Sequence, residues 1–184
     1  MFKWFCSLFQ SDRVHLQSEM VANLHPYPTP DTVTDWDDAS LFTAAGCESA
    51  LRYHRDGFET LNDSERSLCC LYLLESAVNN GGFGHWIESL CPSAAAETPR
   101  ILRKIGATKM ASLVADVLLP LGDTTEINSK DQWVEHYLSM PDETHEHWET
   151  RTRPFLELED RFLDLAYSYA RANWEGVRAA QQRS

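Results

Sequence analysis

The chain has 184 residues, with 28 Asp and Glu against 16 Lys and Arg, and a formal net charge of −12. That length suffices for one sizeable core and does not require two domains. Charge of this sign repels duplex DNA, RNA and anionic membranes over a broad face, so direct nucleic-acid or membrane binding is not expected and a basic protein is the better partner.

Residues 1–9 are apolar but interrupted by Lys3 and Ser7, and they lack the apolar run and small-residue cleavage site of a secretory signal. On a helix, Phe2, Phe5 and Phe9 would share one face with Trp4 and Leu8 beside it, a surface suited to docking on the core or on a second copy. No stretch approaches the roughly 18 apolar residues of a membrane span. Cys6, Cys47, Cys69, Cys70 and Cys91 are odd in number and show no Cys-x-x-Cys spacing. They read as reduced, packed thiols of a cytoplasmic protein.

A second helical pattern over residues 14–24 precedes His25-Pro26-Tyr27-Pro28-Thr29-Pro30, where alternate prolines impose an extended linker. An acidic segment, 31–38, leads to a helix over about 40–55. The division expected from this is residues 1–60 as N-terminal helices and linker, packed on or flanking a core made by residues 61–184.

The next helix has the clearest start: Asn62-Asp63-Ser64-Glu65 fits a capping box, and Leu68, Leu71, Leu74 and Val78 recur at three- and four-residue steps. Asn79-Asn80-Gly81-Gly82 ends that run, because asparagine and glycine tolerate positive φ. Phe83, Trp86, Ile87 and Leu90 then begin a new apolar stripe, so the segment predicts a tight corner between two packed helices. Cys91-Pro92 closes the short helix, and Thr98-Pro99 reads as the start of another, ended by Gly106. A helix over 108–119 follows, then a second capping-box pattern at Ser129-Lys130-Asp131-Gln132. Pro141 interrupts, and Pro154 is placed at the head of a terminal helix whose core face is Leu158, Phe162, Leu165 and Tyr169. No segment alternates with period two, so the fold class is all-α, a single multi-helix domain with short loops.

The corner also offers chemistry. Glu75 lies one turn before Asn79, so a carboxylate, the amides of Asn79 and Asn80, the main chain of Gly81 and Gly82, and His85 beside Trp86 could converge on a small polar ligand. The alternative is structural: Glu75 and the asparagines satisfy helix-end groups while the glycines permit the turn. His85 is an acid-base candidate, yet no serine or cysteine is placed as its nucleophile. In the cluster 142–149, His145 and Glu149 share a face, but the His-Glu-x-x-His spacing of zinc hydrolases is absent, so a solvated acidic helix is expected and no metal or cofactor.

Glu75, Asn79, Asn80, Gly81, Gly82 and Phe83, with Ile105-Gly106-Ala107 and Leu158-Glu159-Asp160-Arg161-Phe162, resemble the motifs of the DNA-mimic protein family over roughly residues 61–173. His85 and Trp86 depart from that pattern. The resemblance implies a small acidic helical domain that binds a DNA-binding protein in place of DNA, and a dimer.

Charge gives that implication a physical form. From Asp123 to Asp164, twelve acidic residues face four basic ones, Lys130, Arg151, Arg153 and Arg161, and so carry −8 of the total −12. Asp131 and Glu135, then Asp142, Glu146 and Glu149, then Glu157, Asp160 and Asp164 form three rows at helical spacing. One-turn neighbours stand roughly 5 to 6 Å apart at Cβ, a separation similar in scale to that of phosphates along a strand. The expected function is an acidic, non-enzymatic interaction protein. Its partner would be a basic DNA-binding protein, a transcriptional regulator or nucleoid protein, held by these rows. An antitoxin or immunity-type protein neutralising one cognate partner is the alternative, and a small-ligand or enzymatic site at the corner is the third.

Overall fold

The computed structural model describes residues 32–181, apart from the side chains of residues 160 and 178–181. The N-terminal aromatic helix, the pattern over 14–24 and the proline run expected from the sequence lie outside the described residues. Among the described residues there are six α-helices, three 3-10 turns and no strand, so the all-α expectation holds.

Helix α1, Asp38–Asp56, starts on Asp37, whose carboxylate accepts from the Ser40 amide at 2.8 Å. Helix α2, Asp63–Ser89, starts on the expected capping box. Asn62 Oδ1 accepts from the amides of Ser64 and Glu65 at 2.9 and 3.1 Å, and Glu65 Oε2 accepts from the Asn62 amide at 2.9 Å. The other Glu65 oxygen takes the guanidinium of Arg52 from α1, so one buried carboxylate caps α2 and ties it to α1. Leu68, Leu71 and Leu74 are wholly buried, with Val78 nearly so, as their spacing predicts.

The corner interrupts α2 at Gly81 and Gly82, as expected. Gly82 has φ 72° and ψ −174°, a region open to glycine almost alone. After the break the chain turns helical again and buries Phe83, Trp86, Ile87 and Leu90 completely.

Helix α3 spans Pro92–Lys104, α4 Thr108–Leu118, α5 Lys130–Leu138 and α6 Asp142–Gln181. Two expected helix starts are corrected here. Thr98-Pro99 lies inside α3, and the Thr98 hydroxyl donates back to the Ala94 carbonyl at 2.8 Å instead of capping downstream amides. The first proline, Pro92, already occupies the first turn, where a missing amide costs nothing. Pro154 likewise lies within the forty residues of α6. Trp148 and Phe155, both wholly buried, anchor the helix on either side of it, and this packing offsets the hydrogen bond the proline cannot make.

The second capping box is also half-formed. Ser129 accepts from the Gln132 amide at 3.2 Å, while the Gln132 side chain accepts from the amide of Asn128 rather than that of Ser129.

Helices α1, α2 and α6 pack on one another as the central layer, and α3 and α4 pack together against α2 and α6. A Cβ on Gly46 would stand 2.5 Å from Cβ of Tyr72, so glycine sets how closely α1 and α2 approach. The α6 core face is Trp148, Phe155, Phe162, Ala166 and Ala170, with Leu158, Leu165 and Tyr169 only partly buried at its flank. The expected face was displaced because the two alanines, small enough to let helices close up, carry less apolar weight in the sequence pattern than the leucines beside them. Arg171 fastens the start of the described chain to α6, donating to Asp38 at 2.7 Å and to the carbonyls of Val33 and Trp36.

Candidate functional site

The acidic rows touch the glycine corner at Glu149, which lines the same cleft as Gly81, Gly82 and Gly84. Asp131 and Glu135 on α5, and Asp142, Glu146, Glu149, Glu157 and Asp164 on α6, are all exposed. The Asp160 side chain lies outside the described residues. Because α6 runs unbroken in sequence through Pro154, the second and third rows belong to one helix. At 100° per residue, its five described carboxylates fall within a sector of about 80° on an undistorted helix, spread over roughly 33 Å. That sector stands opposite the core face of Trp148, Phe155 and Phe162.

Among the described residues, Asp131, Glu135, Asp142, Glu146, Glu149 and Asp164 form no ion pair, whereas Glu157 accepts from Arg153 Nε at 3.3 Å. Arg153 falls in the middle of the same sector. The neighbouring Arg151 is turned away to Asp116 on α4, 2.6 Å distant, with His147 Nε2 3.7 Å from the same carboxylate. The basic residues beside the rows are thus partly diverted from them.

The two halves of the corner face different surroundings. Asn79 Nδ2 donates to Glu75 Oε1 at 3.3 Å and to Glu159 of α6, and Asn80 Nδ2 donates to the Ser76 carbonyl at 2.6 Å. Burial pushes the Glu75 carboxyl up, opposed by the Asn79 hydrogen bond and reinforced by the charge of Glu159. Here the asparagines join helix to helix and satisfy a helix-end carbonyl.

The glycine half lines a cleft of about 380 Å³ between the corner, α5 and the first turns of α6. Gly81, Gly82 and Gly84 form one wall, His85, Glu88 and Glu149 supply the titratable groups, and Tyr137, His145, Trp148 and Thr152 form the opposite side. The Tyr137 ring stacks on Trp148 with centroids 5.4 Å apart and planes 8° apart, and His145 stands nearly perpendicular to both. Trp148 has no exposed surface of its own, so it is the floor beneath Tyr137 and His145. A Cβ on Gly82 would come within 2.9 Å of Thr152 Oγ1, and one on Gly84 within 3.3 Å of the Tyr137 hydroxyl.

The corner is fixed from α5. Trp133 Nε1 donates to the Ile87 carbonyl at 2.8 Å, and Lys130 Nζ donates to the carbonyls of Leu90, at 3.0 Å, and Glu88. A lysine at the last carbonyls of α2 satisfies acceptors the helix leaves open and complements its dipole. Burial of this ammonium lowers its pKa, with the charge of Glu88 acting the other way.

Of the corner residues named from the sequence, Phe83 and Trp86 are core, Asn79 joins Glu75 to Glu159 of α6, Asn80 bonds back to Ser76 within α2, and Gly81, Gly82 and His85 line the cleft. Sequence reasoning missed Glu88, Tyr137 and Thr152. Thr152 shares a helix face with His145, Trp148 and Glu149, which is a local signal, whereas Glu88 and Tyr137 reach the cleft through contacts distant in sequence. Among the described residues, no group of three or more His, Cys, Asp or Glu is arranged to hold a metal ion.

The family model of the DMP19-like protein matches residues 59–173, more than half of the chain. This corrects the resemblance drawn from the motifs: the family matched over Glu75, Asn79–Phe83 and the later helices is the DMP19-like one, and not the DNA-mimic family to which those motifs were compared. Neither a curated protein nor a solved structure matches the chain. That match covers the capping box, the corner, the cleft and the whole acidic face, and the chain belongs to the DMP19-like protein family.

Proposed function

We propose that this protein is an acidic, non-enzymatic interaction module that binds a basic DNA-binding protein, a transcriptional regulator or nucleoid protein, in the place DNA would take. The observation that carries the reading is the exposed acidic sector of α6, opposite the buried face of the same helix, with Asp131 and Glu135 on α5 as further exposed carboxylates. A rigid helix holds its carboxylates in fixed register, so the partner does not have to order them on binding. The sector carries fewer charges per length than duplex DNA, which bears one per roughly 1.7 Å of axis. It therefore competes by placing charges at selected phosphate-like positions, not by matching the density of the polyanion.

No helix among the described residues is long and apolar enough to cross a membrane, and the proposal sets the protein in the cytoplasm beside such partners. Self-association through the N-terminal aromatics belongs to the same proposal.

The test is affinity capture from native lysate at low salt with the full chain as bait, repeated with excess duplex DNA. Basic DNA-binding proteins should be recovered without DNA and lost with it, and a bait with Glu146→Gln, Glu149→Gln and Glu157→Gln should recover less. Capture that is indifferent to duplex DNA and to these substitutions would remove the proposal.

A further inference from the structure

The cleft and the acidic sector are joined by one residue. Glu149 is the last carboxylate of the Asp142, Glu146, Glu149 row and also part of the cleft lining. No lysine or arginine lines the cleft, which has two carboxylates, Glu88 and Glu149, and two imidazoles, His85 and His145. The Lys130 ammonium lies near Glu88 but is engaged with main-chain carbonyls, and it leaves Glu149 exposed without an ion pair among the described residues. Such a lining disfavours phosphate and carboxylate ligands and favours a cation.

The walls narrow the kind of cation. Tyr137, backed by Trp148 in a near-parallel stack, gives a flat aromatic surface, with His145 set at 86° to it. A planar guanidinium both stacks on such a surface and donates in its own plane to carboxylates, whereas an ammonium is a compact point charge. The volume of about 380 Å³ lies within the range of small-molecule sites and leaves room for main chain flanking a single side chain. The space exists because three of the four residues Gly81, Gly82, Phe83 and Gly84 carry no side chain, while the fourth points into the core.

We infer that this cleft receives an arginine side chain of the basic partner, as the anchoring contact at one end of the acidic sector. The inference rests on the proposed function for its source of arginine and on the cleft itself for its chemistry. The cluster Gly81-Gly82-Phe83-Gly84-His85 then has a binding role in addition to making the turn: it keeps the wall thin enough for a guanidinium to lie between the corner and α6.

The test uses the full chain and two probes, N-acetyl-arginine amide and its neutral isostere N-acetyl-citrulline amide, with the Gly82 and Gly84 amide resonances as the readout. The arginine probe should shift these resonances saturably, and the citrulline probe should bind roughly tenfold more weakly or not at all. Glu149→Gln, an exposed change, should weaken the arginine probe by a similar factor, and Gly84→Ala should block it while the melting temperature shows that the fold persists. A short peptide with one arginine among lysines should bind tighter than the amide, because it also reaches the acidic sector. Failure of the arginine probe to saturate, equal binding of citrulline, or tighter binding of the free amide than of the peptide would each overturn the inference. If the arginine probe behaves as expected but lysate capture fails, the proposed function is at fault. If capture succeeds and is unchanged in Glu149→Gln and Gly84→Ala, the cleft is not the anchor and the acidic sector stands alone.

Discussion

Arg153 Nε donates to Glu157 Oε1 at 3.3 Å one turn away on α6, which sets a positive charge inside an otherwise acidic sector. Both side chains are strongly exposed, 88% and 65%, so the pair contributes little to folding. Replacing Arg153 with Gln is therefore expected to change unfolding free energy by less than about 0.5 kcal/mol. It should also free Glu157 and delay elution of the native protein from an anion exchanger by more than one unit of charge elsewhere on the surface would. An Arg153→Gln protein that elutes like an Arg55→Gln control would show that the sector does not act as a unit.

Gly82 combines a positive φ of 72° with an approach that leaves only 2.9 Å between a would-be Cβ and Thr152 Oγ1. Gly82→Ala thus meets both backbone strain and a clash, and a loss of about 2 to 3 kcal/mol in urea denaturation is expected. Gly84 has no positive φ and lies in a helix, where alanine is favoured by up to about 1 kcal/mol over glycine. Gly84→Ala should therefore be much milder, the tight approach to the Tyr137 hydroxyl offsetting that gain. Equal losses at the two positions would mean that backbone strain is not what requires glycine at Gly82.

Glu65 is 1% exposed and serves both Arg52 and the Asn62 amide. Removing it in Glu65→Ala leaves the largely buried Arg52 charge with only the long contact to Asp56, at 3.8 Å, and opens the α2 cap. A cost of about 3 to 5 kcal/mol is expected, read by urea or thermal unfolding. The double variant Glu65→Leu with Arg52→Met should recover much of it, since the poorly paired buried charge is the larger penalty.

Glu75 gives a pH dependence of defined sign. Its carboxyl is raised in the folded protein, first by burial, then by Glu159, against the Asn79 hydrogen bond. The folded state therefore holds this proton more tightly than the unfolded state does. Stability from this group is present at low pH and is lost as pH rises from the ordinary carboxylate range through the raised value. Glu75→Gln keeps an acceptor for Asn79 and removes the titration. The variant should equal or exceed the parent in stability at neutral pH, with the advantage vanishing as the pH falls below about 4. Urea unfolding of both proteins across that range decides it, and a variant less stable at neutral pH would contradict the assigned cause.

The adjacent thiols Cys69 and Cys70 should be chemically quiet. Cys69 and Cys70 have no exposed surface, and burial raises both thiols, Cys70 up to about 12. In the native protein, iodoacetamide followed by mass mapping should leave Cys69 and Cys70 unmodified until denaturant is added.

What could be read from the sequence was local. The α2 cap depends on Asn62 and Glu65, three residues apart, and the break depends on adjacent glycines, so both followed from spacing and backbone preference. The helix starts assigned to Thr98-Pro99 and Pro154 did not hold, because an interior proline is tolerated only when packing compensates. The burial of Trp148 and Phe155 around Pro154 is a tertiary fact. That one difference merges two acidic rows into a single sector. The cleft was hidden for a similar reason: Gly84, Tyr137, His145 and Thr152 come from three elements and meet only in the folded chain. The clamp of Arg171 on Val33, Trp36 and Asp38 spans even more of the sequence and has no local signature.

The most direct measurement of the central claim is competition: labelled duplex DNA bound to a captured basic partner, titrated with this protein at two salt concentrations. The proposal expects the protein to release the duplex stoichiometrically at low salt. It also expects its apparent affinity to fall steeply as the Debye length shrinks from about 10 Å at 0.1 M salt to about 3 Å at 1 M, and the variant carrying Glu146→Gln, Glu149→Gln and Glu157→Gln to compete poorly. A ternary complex in which partner, duplex and protein coexist, or displacement that is insensitive to salt and to those three substitutions, would contradict it.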